Sequence, residues 1–151
     1  MRRFQDFQPA GVIPATLLCF DADLAIDERA TRRHFAQVAG TRGLAAITVN
    51  GHSSEVHACS FDEQRRVLDF ALDEIGDRLP IIGGVYADGS RLAAEIARMS
   101  DRAGASALLV FPPQSMSMGG QLRPEMALAH FRCIAELSLI HISEPTRQAE
   151  I

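Results

Sequence analysis

Four times along this chain a short run rich in β-branched and apolar residues is followed by a segment whose apolar residues recur at the three-to-four spacing of an amphipathic helix. That alternation builds a parallel sheet, because successive parallel strands must be joined by a crossover, and the crossover is usually a helix. The first run is residues 13–19; after it Asp27 is placed to cap a helix with Thr31, Phe35, Val38 and Ala39 on one face, closed by Gly40 or Gly43. The second run, 44–49, is continuously apolar, as a strand buried on both faces is. Ser60 and Glu63 then form a capping box, Val67, Leu68, Ala71, Leu72 and Ile75 the stripe, and Gly76 the stop. A third strand is expected at 80–85, with a helix capped by Ser90, faced by Leu92, Ile96, Met99 and Ala103 and closed by Gly104. A fourth is expected at 107–111, and Pro124 opens the last helix, which carries Ala127, Leu128, Phe131 and Ile134. Between them, 112–122 is a long polar loop at a strand's carboxyl end, where βα folds place function.

Composition narrows the partners. With 47% hydrophobic and 23% charged residues the chain is globular in type, and a net charge of −4 offers no broad basic field for nucleic acid or an anionic membrane. No apolar run approaches the roughly 20 residues of a bilayer span. Arg2 and Arg3 resemble a signal-peptide start, but Gln5, Asp6 and Gln8 occupy the place of its apolar core. Cys19, Cys59 and Cys133 are widely spaced and suit neither a disulfide framework nor a zinc knuckle, so a reducing cytoplasm is the expected compartment and a small molecule the expected partner. All 15 basic residues are arginine; lysine is absent.

The rhythm stops near residue 136. Residues 137–147 read LSLIHISEPTR, without strand or helix period. They are similar to an in-frame translation of a transposase adapter used in sequencing libraries. The chain therefore divides into an N-terminal extension (1–10), a βα region (11–136) and an expected adapter read-through (137–151), which is set apart from the fold as a scar would be.

Within 11–136 the segments VNGHSSE, PIIGGV and ALLVFPP follow one another on successive βα units. In order and spacing they resemble the opening half of the dihydrodipicolinate synthase and N-acetylneuraminate lyase family of pyruvate-dependent class I aldolases. That family carries Gly, Thr or Ser, a small polar residue, Gly and Glu after its second barrel strand, where this chain has Gly51, His52, Ser53, Ser54 and Glu55. The resemblance implies the first four βα units of a TIM (β/α)8 barrel, truncated, since a closed barrel takes about 250 residues. It implies pyruvate or another 2-oxo acid as ligand, with Gly51, His52, Ser53 and Ser54 around its carboxylate and position 52 in a proton relay. It also implies a homo-oligomer, a tetramer, and neither metal nor cofactor. A glycine-opened loop at a strand end suits this chemistry, because it lets backbone N–H groups approach an anion. Gly51 to Ser54 also suit a plain strand-to-helix turn built from turn-forming residues. Glu55 is expected to order the loop.

The chain departs from the family pattern at several positions. His52 stands where threonine is usual and Ser54 where the second glycine is usual; a histidine also shuttles protons near neutral pH. Pro113 and Gln114 occupy the places of two tyrosines, and the only tyrosine, Tyr86, lies elsewhere in the sequence. Leu18, Cys19 and Phe20 replace a Thr-Pro-Phe pattern. These differences point to an aldolase, lyase or hydratase branch other than dihydrodipicolinate synthase itself. Schiff-base chemistry needs an amine to make an electron sink of pyruvate. The family's lysine lies on its sixth strand, beyond the matching residues, so this chain is expected to form no Schiff base. Open edges on the first and fourth strands predict self-association.

Two competing readings remain. His52, Glu55 and His57 make an H-x-x-E-x-H spacing open to a metal, although not the helical H-E-x-x-H arrangement. Four βα units also suit a non-enzymatic, flavodoxin-like binding module. Met116 and Met118 either line an apolar entrance or sit incidentally on a flexible loop.

Overall fold

The computed structural model describes Phe4, residues 7–136 and Ile142–Ser143. Helix α1, Glu28–Ala39, starts where Asp27 Oδ1 accepts the Ala30 N–H at 2.8 Å, and it buries Thr31 and Phe35. Strand β1, Ile47–Val49, leads through two short 3-10 turns, His52–Ser54 and Val56–Ala58, into α2, Phe61–Ile75. The expected capping box is present: Ser60 Oγ accepts the Glu63 N–H, and the Glu63 carboxylate accepts the Ser60 N–H at 2.8 Å. Next come β2, Ile81–Val85, and α3, Ser90–Ala103, whose N-cap is Gly89 and not the expected Ser90. Ser90 is the first helical residue, and its hydroxyl is turned to His130 Nδ1 at 3.0 Å. Strand β3, Ala107–Val110, is followed by one helical turn, α4, Gln114–Ser117, and a 3-10 turn at Gly120–Leu122, so the expected long loop is partly helical. Helix α5, Pro124–Ala135, has its proline in the first turn, where the missing N–H costs nothing.

All strand pairings are parallel, and the spatial order β1-β2-β3-β4 is the order in the chain, with β4 being Ile142–Ser143. The register sets Val49 beside Gly83 and Val85 beside Val110. Residues 13–19 were expected to form the first strand. They do run alongside β1, but only as isolated parallel bridges, Val12 to Leu44 and Ala15 to Thr48. Pro14 explains the interruption. It offers its carbonyl to the Thr48 N–H at 2.9 Å, so its nitrogen also faces β1, where it has no hydrogen to donate. At the other edge, Ile142 and Ser143 pair with Leu109 and Val110. The edge of β3 is therefore covered there, and the segment expected to lack regular structure contributes two strand residues.

This strand order corrects the flavodoxin-like alternative. A doubly wound sheet reverses direction and places helices on both faces. Here the order never reverses, and the helices contact one another in series, α1 with α2, α2 with α3 and α3 with α5. Ile47, Val49, Ile81, Val85, Leu108 and Val110 face the helices in one continuous core, while Ala46, Ile82 and Ala107 form a separate small cluster with Ile13 and Leu109. Alternation along each strand thus feeds a helix layer on one side and a barrel-like interior on the other.

Two helix stripes differ from expectation. Leu92 is 46% exposed, because Ala93, Ala94, Ala97 and Ser100 take the buried face of α3. Ser100 lies against Gly83, where an added Cβ would come within 3.1 Å of its hydroxyl, so small residues on both sides bring helix and sheet close together. On α5, Leu128 is half exposed and His130 is buried in its stead.

Candidate functional site

The carboxyl ends of β1, β2 and β3 carry Asn50 to Ser54, Tyr86 and Phe111. Asn50 turns the chain out of β1 in the left-handed region, with φ 56°, a conformation asparagine tolerates better than most residues. Its side-chain amide donates to the Gln64 carbonyl at 2.8 Å, and Gln64 Nε2 in turn donates to the Cys59 carbonyl at 3.1 Å. The loop is thereby fastened at both ends to the first turn of α2.

Gly51 opens the 3-10 turn, which is closed by the Ser54 N–H to the Gly51 carbonyl and continued by the Glu55 N–H to the His52 carbonyl. The N–H groups of His52 and Ser53 precede the first donor of this turn and stay outside its hydrogen bonds. Ser54, buried, donates its hydroxyl to the Gly51 carbonyl at 2.8 Å and so locks the turn. Ser53 donates to the Thr16 carbonyl at 3.1 Å, joining the loop to the first run. Glu55, at φ 54°, links the two 3-10 turns, and its carbonyl accepts from the Ala58 N–H. The order it brings to the loop comes through its backbone.

His52 is exposed and stacks on Phe111 with ring centroids 4.1 Å apart at 34°, while Tyr86 meets it edge-on at 5.2 Å and 74°. Neither His52 nor Tyr86 has a side-chain hydrogen-bond partner among the described residues. Burial, and then the negative Asp88, push the Tyr86 phenol above its usual pKa, so it is a neutral donor at ordinary pH. Asp88 Oδ1 accepts the Gln114 N–H at 2.8 Å and ties α4 to the loop after β2.

Sequence reasoning had singled out Gly51, His52, Ser53 and Ser54, and the structure places them in one turn. It had missed Tyr86 and Phe111. The available signal was their position as the first residue beyond β2 and β3, the place where parallel βα units gather functional side chains. His57 is exposed on the second 3-10 turn, and among the described residues no group of three or more His, Cys, Asp or Glu is arranged to hold a metal, so His52, Glu55 and His57 do not converge. Met118 is 79% exposed. No helix among the described residues is long and apolar enough to cross a membrane.

Chain-order parallel strands, with a glycine-opened loop at the carboxyl edge, define the opening units of a (β/α)8-barrel protein. Comparison with known proteins identifies which kind. The sequence pattern of the Dihydrodipicolinate synthetase family matches residues 8–141, and the chain belongs to that family. It is 38% identical over 104 residues to the 4-hydroxy-tetrahydrodipicolinate synthase of Salinibacter ruber, covering 68% of this chain and 34% of that protein. Over 110 residues it is 34% identical to the enzyme of the same name from Methanopyrus kandleri, covering 71% of this chain and 36% of that protein. Among solved structures, a dihydrodipicolinate synthase family protein from Coccidioides immitis superposes with a TM-score of 0.78 at 24% identity, covering 93% of this chain and 44% of its own. A prophage protein of the dihydrodipicolinic acid synthase family from E. coli K12, in complex with pyruvate, superposes with a TM-score of 0.76 at 21% identity, covering 86% of this chain and 42% of its own. The chain thus spans a third to under half of the relatives it matches, and it is the N-terminal part of their barrel that it matches.

Proposed function

We propose that this chain is the carboxylate-binding and proton-relay half of a pyruvate-dependent aldolase or lyase that works on 2-oxo acids through a lysine Schiff base. The turn at Gly51 to Ser54 carries this reading. It presents the N–H groups of His52 and Ser53 at the strand end, locked by the Ser54 hydroxyl, and such an arrangement favours a carboxylate. The Ser53 hydroxyl, bonded to the Thr16 carbonyl, exchanges that partner for the ligand. His52, open to the site, is the proton carrier. Family membership and a structural neighbour that holds pyruvate support the ligand class. The amine is not in this chain, which contains arginine but no lysine. His52 in the relay position, with Pro113 and Gln114 following Pro112, favours a branch distinct from dihydrodipicolinate synthase.

The same reading assigns 1–10 to an extension, 11–136 to the barrel half and 137–151 to adapter read-through, and it makes the whole protein a cytoplasmic homo-oligomer, a tetramer by resemblance. The experiment treats this chain, and the source gene resequenced across the Glu136 codon and expressed in full, with pyruvate and borohydride. The expected result is an irreversible adduct on the longer product and none on the 151-residue chain. An adduct on the present chain, or none on a product that continues through a lysine-bearing strand, overturns the proposal.

A further inference from the structure

The family resemblance leads one to look for tyrosines after Pro112, and Pro113 and Gln114 supply none. The structure brings a phenol to the site from another strand. Parallel register places the ends of β1, β2 and β3 side by side, and the Phe111 N–H to Val85 carbonyl bond at 3.0 Å carries the pairing of β2 and β3 up to the site. Tyr86, the next residue, then sets its ring edge-on to His52, whose ring also stacks on Phe111.

We propose that Tyr86 is a substrate-contacting residue of this site, its hydroxyl donating to the oxo oxygen of a bound 2-oxo acid while its ring and that of Phe111 hold the His52 imidazole beside the same atom. This inference rests on the 2-oxo acid reading above and extends it by naming the group that tells an oxo acid from a plain carboxylate. Three observations converge on it. The Tyr86 hydroxyl and both His52 ring nitrogens are unpaired among the described residues, although they lie on one aromatic cluster at the carboxyl edge. The rings meet in stable tilted and edge-to-face arrangements, so the polar atoms are pre-positioned at low entropic cost. Burial and the nearby Asp88 keep the Tyr86 phenol protonated, and a protonated phenol has a hydrogen to donate to a carbonyl oxygen, which can only accept.

The chain offers a direct readout, because Tyr86 is its only tyrosine and it has no tryptophan. The 151-residue chain is titrated with pyruvate and, separately, with propionate, which has the carboxylate but no oxo group. Binding is followed by the backbone amide resonances of 51–54 and by tyrosine emission. The expected result is that both acids move the loop amides, that pyruvate alone changes Tyr86 emission, and that pyruvate binds the more tightly. Tyr86→Phe, which keeps the ring and its packing, lowers pyruvate affinity about five-fold, the worth of roughly one hydrogen bond, and leaves propionate affinity unchanged. Ser53→Ala weakens both acids.

Unchanged emission at saturating pyruvate, or a Tyr86→Phe chain that retains the full preference for pyruvate, overturns the role of Tyr86 while the carboxylate loop stands. Loop amides of the unmodified chain that respond to neither acid overturn the underlying reading, and the Tyr86 proposal with it. The emission experiment needs no variant, so a folding defect in Tyr86→Phe leaves the test intact.

Discussion

The carbonyl of Asn50 projects into the space above the α-carbon of Gly84, so a Cβ built on Gly84 would overlap the carbonyl oxygen. The obstruction is backbone, and backbone in a buried, paired strand end does not step aside as a side-chain tip does. Gly84→Ala is therefore expected to destabilise the chain by about 1–3 kcal/mol, the usual penalty of overpacking. It should also displace the 51–54 turn. Gly83→Ala is the control, because the nearest atoms to its new Cβ are side-chain ones, of Ser100 at 3.1 Å and Leu108 at 3.7 Å, and it should be the milder of the two. Urea unfolding of both variants measures the difference, and equal losses would remove the special role of the Asn50 contact.

Asn50 carries two separable burdens, a left-handed backbone and a side-chain bond to the Gln64 carbonyl. Asn50→Gly relieves the first and loses the second, whereas Asn50→Ala loses the bond and makes the left-handed backbone more strained. The expected order of stability is wild type, then Gly, then Ala, with the Ala variant down by about 2 kcal/mol from the combined loss of a buried hydrogen bond and the strain of a positive φ. In both variants the amide signals of 51–54 should broaden, since the loop loses its tie to α2. Denaturant titration and heteronuclear spectra check the two parts independently.

What could be read in advance follows from which forces are local. Helix starts were legible at Asp27 and at Ser60 with Glu63, because a cap is a contact within one turn of the chain. Strand β1, Ile47–Val49, lies inside the expected run 44–49 and is shorter than it, and the turn after it was legible from Gly51 to Ser54. The first run read as a strand by composition, yet Pro14 breaks its ladder, an effect that depends on which way the proline nitrogen faces. Phe70 was passed over because it lies off the stripe of α2; it is buried by Arg32, 4.7 Å over its ring, and by Arg66 at 5.6 Å. The resemblance points to a tyrosine after Pro112, where Pro113 and Gln114 stand, and leaves Tyr86 unassigned. Tyr86 reaches His52 only because two strands lie side by side in register, which sequence spacing does not encode.

The capping box gives a test in the acid range. The N–H and then the hydroxyl of Ser60 hold the Glu63 carboxyl below its ordinary pKa of 4.5. A carboxylate with a depressed folded pKa contributes stability that is complete above the unfolded value and is lost as pH falls through the folded one. Ser60→Ala is expected to cost about 1 kcal/mol at neutral pH, typical of a lost N-cap. The gap between variant and wild type should narrow below about pH 4, where protonated Glu63 no longer holds the box closed. Chemical unfolding across that range provides the measurement, and a gap that stays constant would show that the carboxylate takes no part.

His130 predicts a second loss of stability at milder pH. Its side chain is 3% exposed, Nδ1 is 3.0 Å from the Ser90 hydroxyl, and Nε2 has no partner among the described residues. Burial lowers its pKa below the ordinary 6.5, because charging the ring would place an unsolvated cation between α3 and α5. In the unfolded chain the ring takes up its proton as pH falls through 6.5, before the folded ring does. Stability is therefore full above that value and declines as pH falls from it toward the folded pKa. His130→Leu fills the site without a titrating group and leaves only the Ser90 hydroxyl short of a partner, so its stability at neutral pH should stay within about 2 kcal/mol of wild type. The decisive quantity is the slope of stability against pH between about 6.5 and 5, which should be shallower in the variant. Parallel slopes would mean that His130 charges in the folded protein as readily as in the unfolded one, and that its burial between the two helices carries no electrostatic cost.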